Sequence, residues 1–173
     1  MPRVLRPLVS SVLLLGIFAG VSFAPETPHE PRIGQRDRLA QAYLTRKLAL
    51  WQHRLSLQDW TVSLIVSPSG ELRSGTLGNL HWDAEKKSAT IRVLDASEYR
   101  MPFRSAVSDM EFTVVHELMH LELESLPRNE ASRREEEYVV NHMADALLRL
   151  EQQDSDRNVA LADAGNAKLT GTE

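Results

Sequence analysis

The sequence predicts an α+β domain, and three features of its hydrophobic pattern indicate this fold class. Apolar residues recur at helical spacing up to about residue 55, alternate as in strands between residues 59 and 94, and return to helical spacing after residue 108. The predicted order is one helix, three strands and two helices, with helices and strands in separate stretches of the chain. A length of 173 residues with 42% hydrophobic and 25% charged residues allows one soluble domain with tails.

The first 24 residues have the composition of an export signal. Two arginines precede an apolar run from Leu8 to Ala24 that contains no charge, as in a secretory signal peptide or an N-terminal membrane anchor. The small residues Ser22 and Ala24 suit a signal peptidase, whereas Pro25 after them disfavours cleavage. The sequence therefore predicts a secreted, periplasmic or membrane-anchored protein, and cleavage and retention of the segment both stay open.

Composition also sets the other boundaries of the predicted domain. Residues 25–34 are rich in proline and polar groups and are predicted to form a linker. The periodic segments all lie within residues 35–152, which form the predicted domain. Residues 153–173 contain few large apolar side chains, and a segment that cannot bury apolar surface is expected to be a disordered tail.

The elements of the domain follow from local patterns. The first helix is predicted from Gln35 to about Leu55. Asp59–Val66 alternates and is rich in Val, Ile and Thr, so it is predicted to be a strand. Thr76–Trp82 and Ser88–Leu94 flank a short polar turn and are predicted to form a hairpin, which gives a three-stranded sheet of antiparallel type.

Two helices are predicted after the sheet. Ser108–Glu111 fits a capping box, and the helix that it opens is expected to end before Pro127. A second helix is predicted from about Ser132 to Glu151.

The first of these helices contains an HExxH sequence from His116 to His120. Residues four apart on a helix lie about 40° apart around its axis and about 6 Å apart along it, so two imidazoles can reach one zinc ion (Zn2+). Glu117 lies beside that ion as the candidate general base, which takes a proton from an activated water. Because the chain has no cysteine, any further ligand must be His, Asp or Glu. The alternative is a pair of hydrogen-bonded core histidines.

A catalytic zinc site needs a third protein ligand, and the second helix offers three consecutive glutamates, Glu135 to Glu137. Directions around the helix axis can be given as angles that increase by about 100° per residue, with Val139 at 0°. On this scale the apolar side chains of the helix have a mean direction of about 60°. Glu136 also falls at about 60° and Glu137 at about 160°. The sequence favours Glu136 as the third metal ligand, with Glu137 as the alternative. A solvated first turn is the structural alternative for the whole run.

This combination resembles the zincin metallopeptidases, in particular their small gluzincin-like members, over about residues 35–152. The resemblance implies a zincin-like fold, zinc bound by His116, His120 and Glu136, and Glu117 as catalytic base. The chain departs from metzincins, because leucines stand where their glycine and third histidine would be.

Two further features concern the substrate: the edge of the sheet that could bind it and the donor that could stabilise an oxyanion. Zincin sheets often bind an extended substrate along an edge strand, and Ser88–Leu94 is the candidate strand, with an ordinary hairpin strand as the alternative. Stabilising an oxyanion needs a donor beside the zinc. The sequence does not choose among five candidates: His81, Tyr99, Arg100, Tyr138 and His142.

The sequence thus predicts a zinc-dependent hydrolase, in the first place a metallopeptidase acting on a peptide or protein. A zinc hydrolase acting on a non-peptide amide and a catalytically inactive zincin-fold binding module are the alternatives. The net charge of -4 argues against a general nucleic-acid binder.

Overall fold

The computed structural model describes residues 30–127 and 129–169. The predicted α+β class and the predicted order of elements are confirmed. The elements are α1 (Ile33–Arg54), β1 (Thr61–Ser67), β2 (Gly78–Asp83), β3 (Ser88–Leu94), α2 (Phe103–Glu122) and α3 (Glu130–Leu169), with 3-10 turns at Ser69–Glu71 and Ala96–Glu98. The predicted export segment lies outside the described residues, as do residues 25–29 of the predicted linker. Within the described ranges, no helix is long and apolar enough to cross a membrane.

The sheet is mixed, which corrects the prediction of an antiparallel type. Its strand order is β1-β3-β2. The predicted hairpin is present, since β2 and β3 pair antiparallel with Leu80 opposite Ile91. The connection after β1, however, carries the chain past the position of β3, so that β3 returns parallel to β1 with Ile91 opposite Leu64. The strand with the most buried side chains thereby takes the centre, where Ile91 and Val93 are fully buried.

The central place of β3 also corrects the predicted edge strand. Ser88–Leu94 is hydrogen-bonded on both sides, so its main chain is not available to a substrate. The strand at that edge of the sheet is β2 instead.

The core lies between α2 and the sheet. Helix α2 contacts both β2 and β3, while α1 and α3 pack against α2. Trp51, Ile91 and Leu118 are fully buried where these elements meet. Burying a large apolar side chain contributes about 1.5–3 kcal/mol, so this packing fixes the helix that carries the HExxH sequence.

Helix α2 begins six residues earlier than the capping box indicated. It starts at Phe103, whose backbone N–H donates to Glu30 Oε1 at 2.7 Å. The predicted capping residue Glu111 lies inside the helix and is 5% exposed. Its carboxylate accepts hydrogen bonds from Tyr43 Oη and from Trp51 Nε1, the latter at 2.9 Å. A local capping pattern could not reveal this contact, because both donors lie on α1.

Helix α3 begins with a reciprocal cap. Asn129 Oδ1 accepts from the backbone N–H of Ser132 at 2.9 Å, and Ser132 Oγ accepts from the backbone N–H of Asn129 at 2.8 Å. The helix continues to Leu169, and the disordered tail expected over residues 153–173 stays a prediction. The side chains of residues 152–163 are all exposed, so this part of the helix does not contribute to the core.

Candidate metal centre

Helix α2 brings the two predicted histidines together at one point. The Nε2 atoms of His116 and His120 lie 3.0 Å apart. Both rings are partly buried, with 16% and 13% of their side chains exposed. Two nitrogen lone pairs at this distance repel each other unless a proton or a metal ion is shared between them.

The outer nitrogen of each histidine has an oxygen acceptor on α3. His116 Nδ1 lies 3.1 Å from Asn141 Oδ1, and His120 Nδ1 lies 2.8 Å from Glu136 Oε1. An acceptor oxygen holds the ring proton on Nδ1, so each Nε2 presents its lone pair to the shared point. Such contacts from a carboxylate or amide are typical of metal-binding histidines, whose rings they orient.

Glu137 is the carboxylate that meets both Nε2 atoms. Its Oε2 lies 3.4 Å from His116 Nε2, and its Oε1 lies 3.4 Å from His120 Nε2. These three residues form a group able to hold a metal ion. Ligands about 2.0–2.1 Å from a tetrahedral ion are about 3.3 Å apart. The separations of 3.0, 3.4 and 3.4 Å therefore fit a metal bound by His116, His120 and Glu137.

This placement departs from the prediction that Glu136 completes the site. Glu136 contacts the outer nitrogen of His120, on the side of the ring that faces away from His116. Its side chain is 12% exposed, whereas that of Glu137 is 51% exposed. The structure thus brings both candidate glutamates to the histidines, in different positions.

The direction of the buried face of α3 explains the departure. The mean direction predicted for the apolar face of α3 included Val139, Met143 and Leu150. These side chains are 45%, 43% and 57% exposed. Among the described side chains of α3, Val140 and Ala144 are fully buried, and on the same scale their mean direction is about 120°. Glu136 at about 60° and Glu137 at about 160° therefore lie on either side of the contact with α2.

Glu117 lies under the edge strand β2. It is 8% exposed, and a Cβ added at Gly78 would lie 3.4 Å from its Oε1. The same Cβ would lie 2.3 Å from Thr113 Cγ2 and 2.8 Å from the carbonyl oxygen of Arg92. Only glycine allows β2 to approach α2 this closely.

Burial shapes the proton affinities of the site. Burial raises the pKa of Glu117 to about 7, and repulsion from Glu137 adds to this rise. A carboxyl group in that range can both take up and release a proton near neutral pH. Burial lowers the pKa of His116, and the neighbouring His120 lowers it further. Both causes favour the neutral imidazole, which is the form that binds metal.

These side chains line a cleft of about 560 Å³ between β2 and the first turns of α3, a volume typical of sites for small ligands. Leu77, Gly78, Asn79 and Leu80 follow one another along its sheet wall. Because side chains of a strand alternate in direction, four consecutive lining residues indicate that the main chain also faces the cleft.

None of the five candidate oxyanion donors is among the described residues that line this cleft. Tyr138, for example, is 65% exposed, and its backbone carbonyl lies 2.8 Å from His142 Nδ1. Sequence reasoning missed Asn141 and Gly78. Asn141 could have been found, because it follows Glu137 by four residues on the same helix face. Gly78 carried no such local signal, because its role depends on the approach of a distant helix.

Comparison with known proteins yields no match to a family model, to a curated protein or to a solved structure. A functional assignment therefore rests on the residues of the site.

Proposed function

We propose that this protein is a zinc-dependent peptidase of zincin type, in which His116, His120 and Glu137 hold the ion and Glu117 is the general base. The observation that carries the proposal is the convergence of two Nε2 atoms and one carboxylate at mutual distances of 3.0 to 3.4 Å. Both outer nitrogens are also held by acceptors. Paired core histidines without a ligand would not need Glu137 beside them.

The donor set favours zinc. Two imidazoles and one carboxylate are ligands that zinc accepts in catalytic sites, where three protein ligands leave a position open to water or substrate. When bound, the ion lowers the pKa of water and polarises a carbonyl oxygen. Glu136 and Asn141 orient the two imidazoles, and the half-exposed Glu137 closes the group on the side of the cleft.

Glu117 is suited to proton transfer. It follows His116 directly on α2, so it lies next to the ligand group, and it is absent from the set of donors that converge. Its carboxylate takes a proton from the attacking water and passes it to the leaving amine. The cover provided by β2 at Gly78 limits the water around it, which keeps the proton between the carboxylate and the reacting groups.

A peptide is the substrate that the cleft suits best. The sheet wall is the edge strand β2, and a sheet edge pairs with an extended chain through main-chain hydrogen bonds.

Export remains a prediction from the first 24 residues. A reporter fused after Gln35 that stayed in the cytoplasm would contradict it.

The test is cleavage of a peptide library by the purified protein, followed by removal of the metal with a chelator and restoration with zinc. We expect cleavage in the first and last conditions only, at recurring sites. A protein that binds zinc but cleaves no peptide would favour a binding module. Cleavage of small amide compounds alone would favour a hydrolase of non-peptide amides.

A further inference from the structure

The cleft has an arginine on each of its walls. Arg73 lies on the sheet side, in the connection that leads into β2, and Arg133 lies on the first turn of α3. Both residues are exposed. Within residues 30–127 and 129–169, no hydrogen bond or ion pair joins either guanidinium group to an acceptor. Arg92 on β3 differs, because it lies 3.3 Å from Glu71 and 3.1 Å from Ser67 Oγ.

The position of Arg133 makes its lack of an ion pair informative. Glu136 and Glu137 follow it by three and four residues, which is the spacing at which opposite charges pair on a helix. Both carboxylates turn instead to the histidines, Glu136 to His120 and Glu137 to the two Nε2 atoms. The guanidinium group of Arg133 is therefore available to a ligand that binds in the cleft.

The charge of the cleft changes sign when a divalent ion binds. Its carboxylates are Glu117, Glu136 and Glu137, and its cationic side chains are Arg73 and Arg133. Two further positive charges from a metal outweigh the three carboxylates. The loaded cleft is then positive in a chain whose net charge is -4. Such a local field attracts anionic ligands in preference to neutral ones.

We propose that Arg73 and Arg133 select substrates that carry a carboxylate close to the scissile bond. This inference rests on the proposed peptidase function. A guanidinium group is a planar fork that binds a carboxylate through two parallel hydrogen bonds. With one fork on each wall, a peptide lying along β2 meets a cation on either side of its path. The carboxylate belongs either to an acidic side chain or to the C-terminus of the peptide.

The first experiment measures how fast the zinc-loaded protein cleaves matched peptides. One pair differs by Glu or Gln next to the cleaved bond, and a second pair differs by a free or an amidated C-terminus. We expect the acidic member of one pair to be preferred by about 10-fold or more in kcat/KM, since hydrogen bonds between charged groups are stronger than those between neutral groups. The pair that shows the preference identifies the source of the carboxylate. Equal rates within both pairs would overturn the inference and leave the peptidase function intact.

Variants assign the preference to the two arginines. Arg73→Gln and Arg133→Gln should each reduce the ratio between the acidic and neutral peptides by several-fold. Arg134→Gln is the matched control, because Arg134 is exposed on the same turn of α3 but does not line the cleft; its ratio should not change. A ratio that survives in the double variant Arg73→Gln/Arg133→Gln would contradict the assignment.

Binding to the zinc-loaded Glu117→Gln variant separates this inference from the proposed function. Fluorescence anisotropy of the same labelled peptides reads recognition without turnover. Selective binding of the acidic peptide that disappears when both arginines are replaced supports carboxylate recognition, even if the wild-type protein cleaves nothing. Cleavage without any charge preference in binding or rate would have the opposite meaning. The peptidase function would then stand alone.

Discussion

Glu136 accepts a hydrogen bond from Nδ1 of His120 at 2.8 Å, and this contact fixes which ring nitrogen faces the cleft. The proton is held on Nδ1, so that Nε2 points towards His116. In the proposed metal site, Glu136 would thus act by orienting an imidazole, while its neighbour Glu137 meets both Nε2 atoms.

Substitutions of the two glutamates should have unequal effects on metal affinity. Glu137→Ala removes a proposed ligand and should weaken zinc binding by several orders of magnitude. Glu136→Ala removes the acceptor that orients His120 and should weaken zinc binding about 10- to 100-fold. Glu136→Gln should recover most of this loss, because an amide oxygen can still accept from Nδ1. A competition titration with a chelating dye ranks the variants, and a larger loss for Glu136→Ala would return the ligand role to Glu136.

Gly78→Ala should destabilise the domain and reduce hydrolysis. The added Cβ would meet Thr113 Cγ2 at 2.3 Å and the carbonyl oxygen of Arg92 at 2.8 Å, so β2 and α2 must move apart above Glu117. Overpacking of this kind costs about 1–3 kcal/mol. Chemical denaturation measures the loss. Gly70→Ala is the matched control, because a Cβ there meets nothing within 4 Å; equal stability of both variants would contradict the close approach.

Glu111→Ala should lower the free energy of unfolding. It leaves Trp51 Nε1 without its acceptor at 2.9 Å and takes away the carboxylate that lies 3.0 Å from Lys47 Nζ. An unsatisfied buried polar group costs about 1–3 kcal/mol. Urea unfolding should show a loss in that range, compared with little change in Glu122→Ala at an exposed position of the same helix. An unchanged unfolding midpoint for Glu111→Ala would mean that the contacts with α1 do not stabilise α2.

Zinc should raise the thermal stability of the protein. A ligand that binds only the folded state stabilises it by about 2.7 kcal/mol when its concentration is 100 times its Kd. We expect Tm to fall after treatment with a chelator and to recover when zinc is added. His116→Ala and His120→Ala should show no response to either treatment, and a wild-type Tm indifferent to both would contradict the metal site.

The parts of the site that depend on one helix were predictable from the sequence. His116, Glu117 and His120 share a local spacing, and that spacing alone places two imidazoles on one face of α2. The third donor depends on which face of α3 is buried. Val139 and Met143 suggested one direction but remain exposed, whereas Val140 and the small Ala144 make the contact.

The arrangement of the sheet was harder to predict for a related reason. Alternation identified all three strands, but it does not specify which strand lies at the centre. The position of each strand depends on the path of the chain between β1 and β2. Because this path places β3 at the centre, the edge strand that faces the cleft is β2 and not β3.

The role of Glu117 is tested most directly by the hydrolysis rate per bound zinc in Glu117→Gln and in the wild-type protein. Both proteins should bind one zinc ion per chain, because Glu117 is outside the group of converging donors. The rate per bound zinc should fall by at least about 100-fold in the variant, since general acid–base catalysis contributes about 10²–10⁴-fold. Equal rates per bound zinc, or a wild-type protein that binds no zinc, would contradict the proposed peptidase.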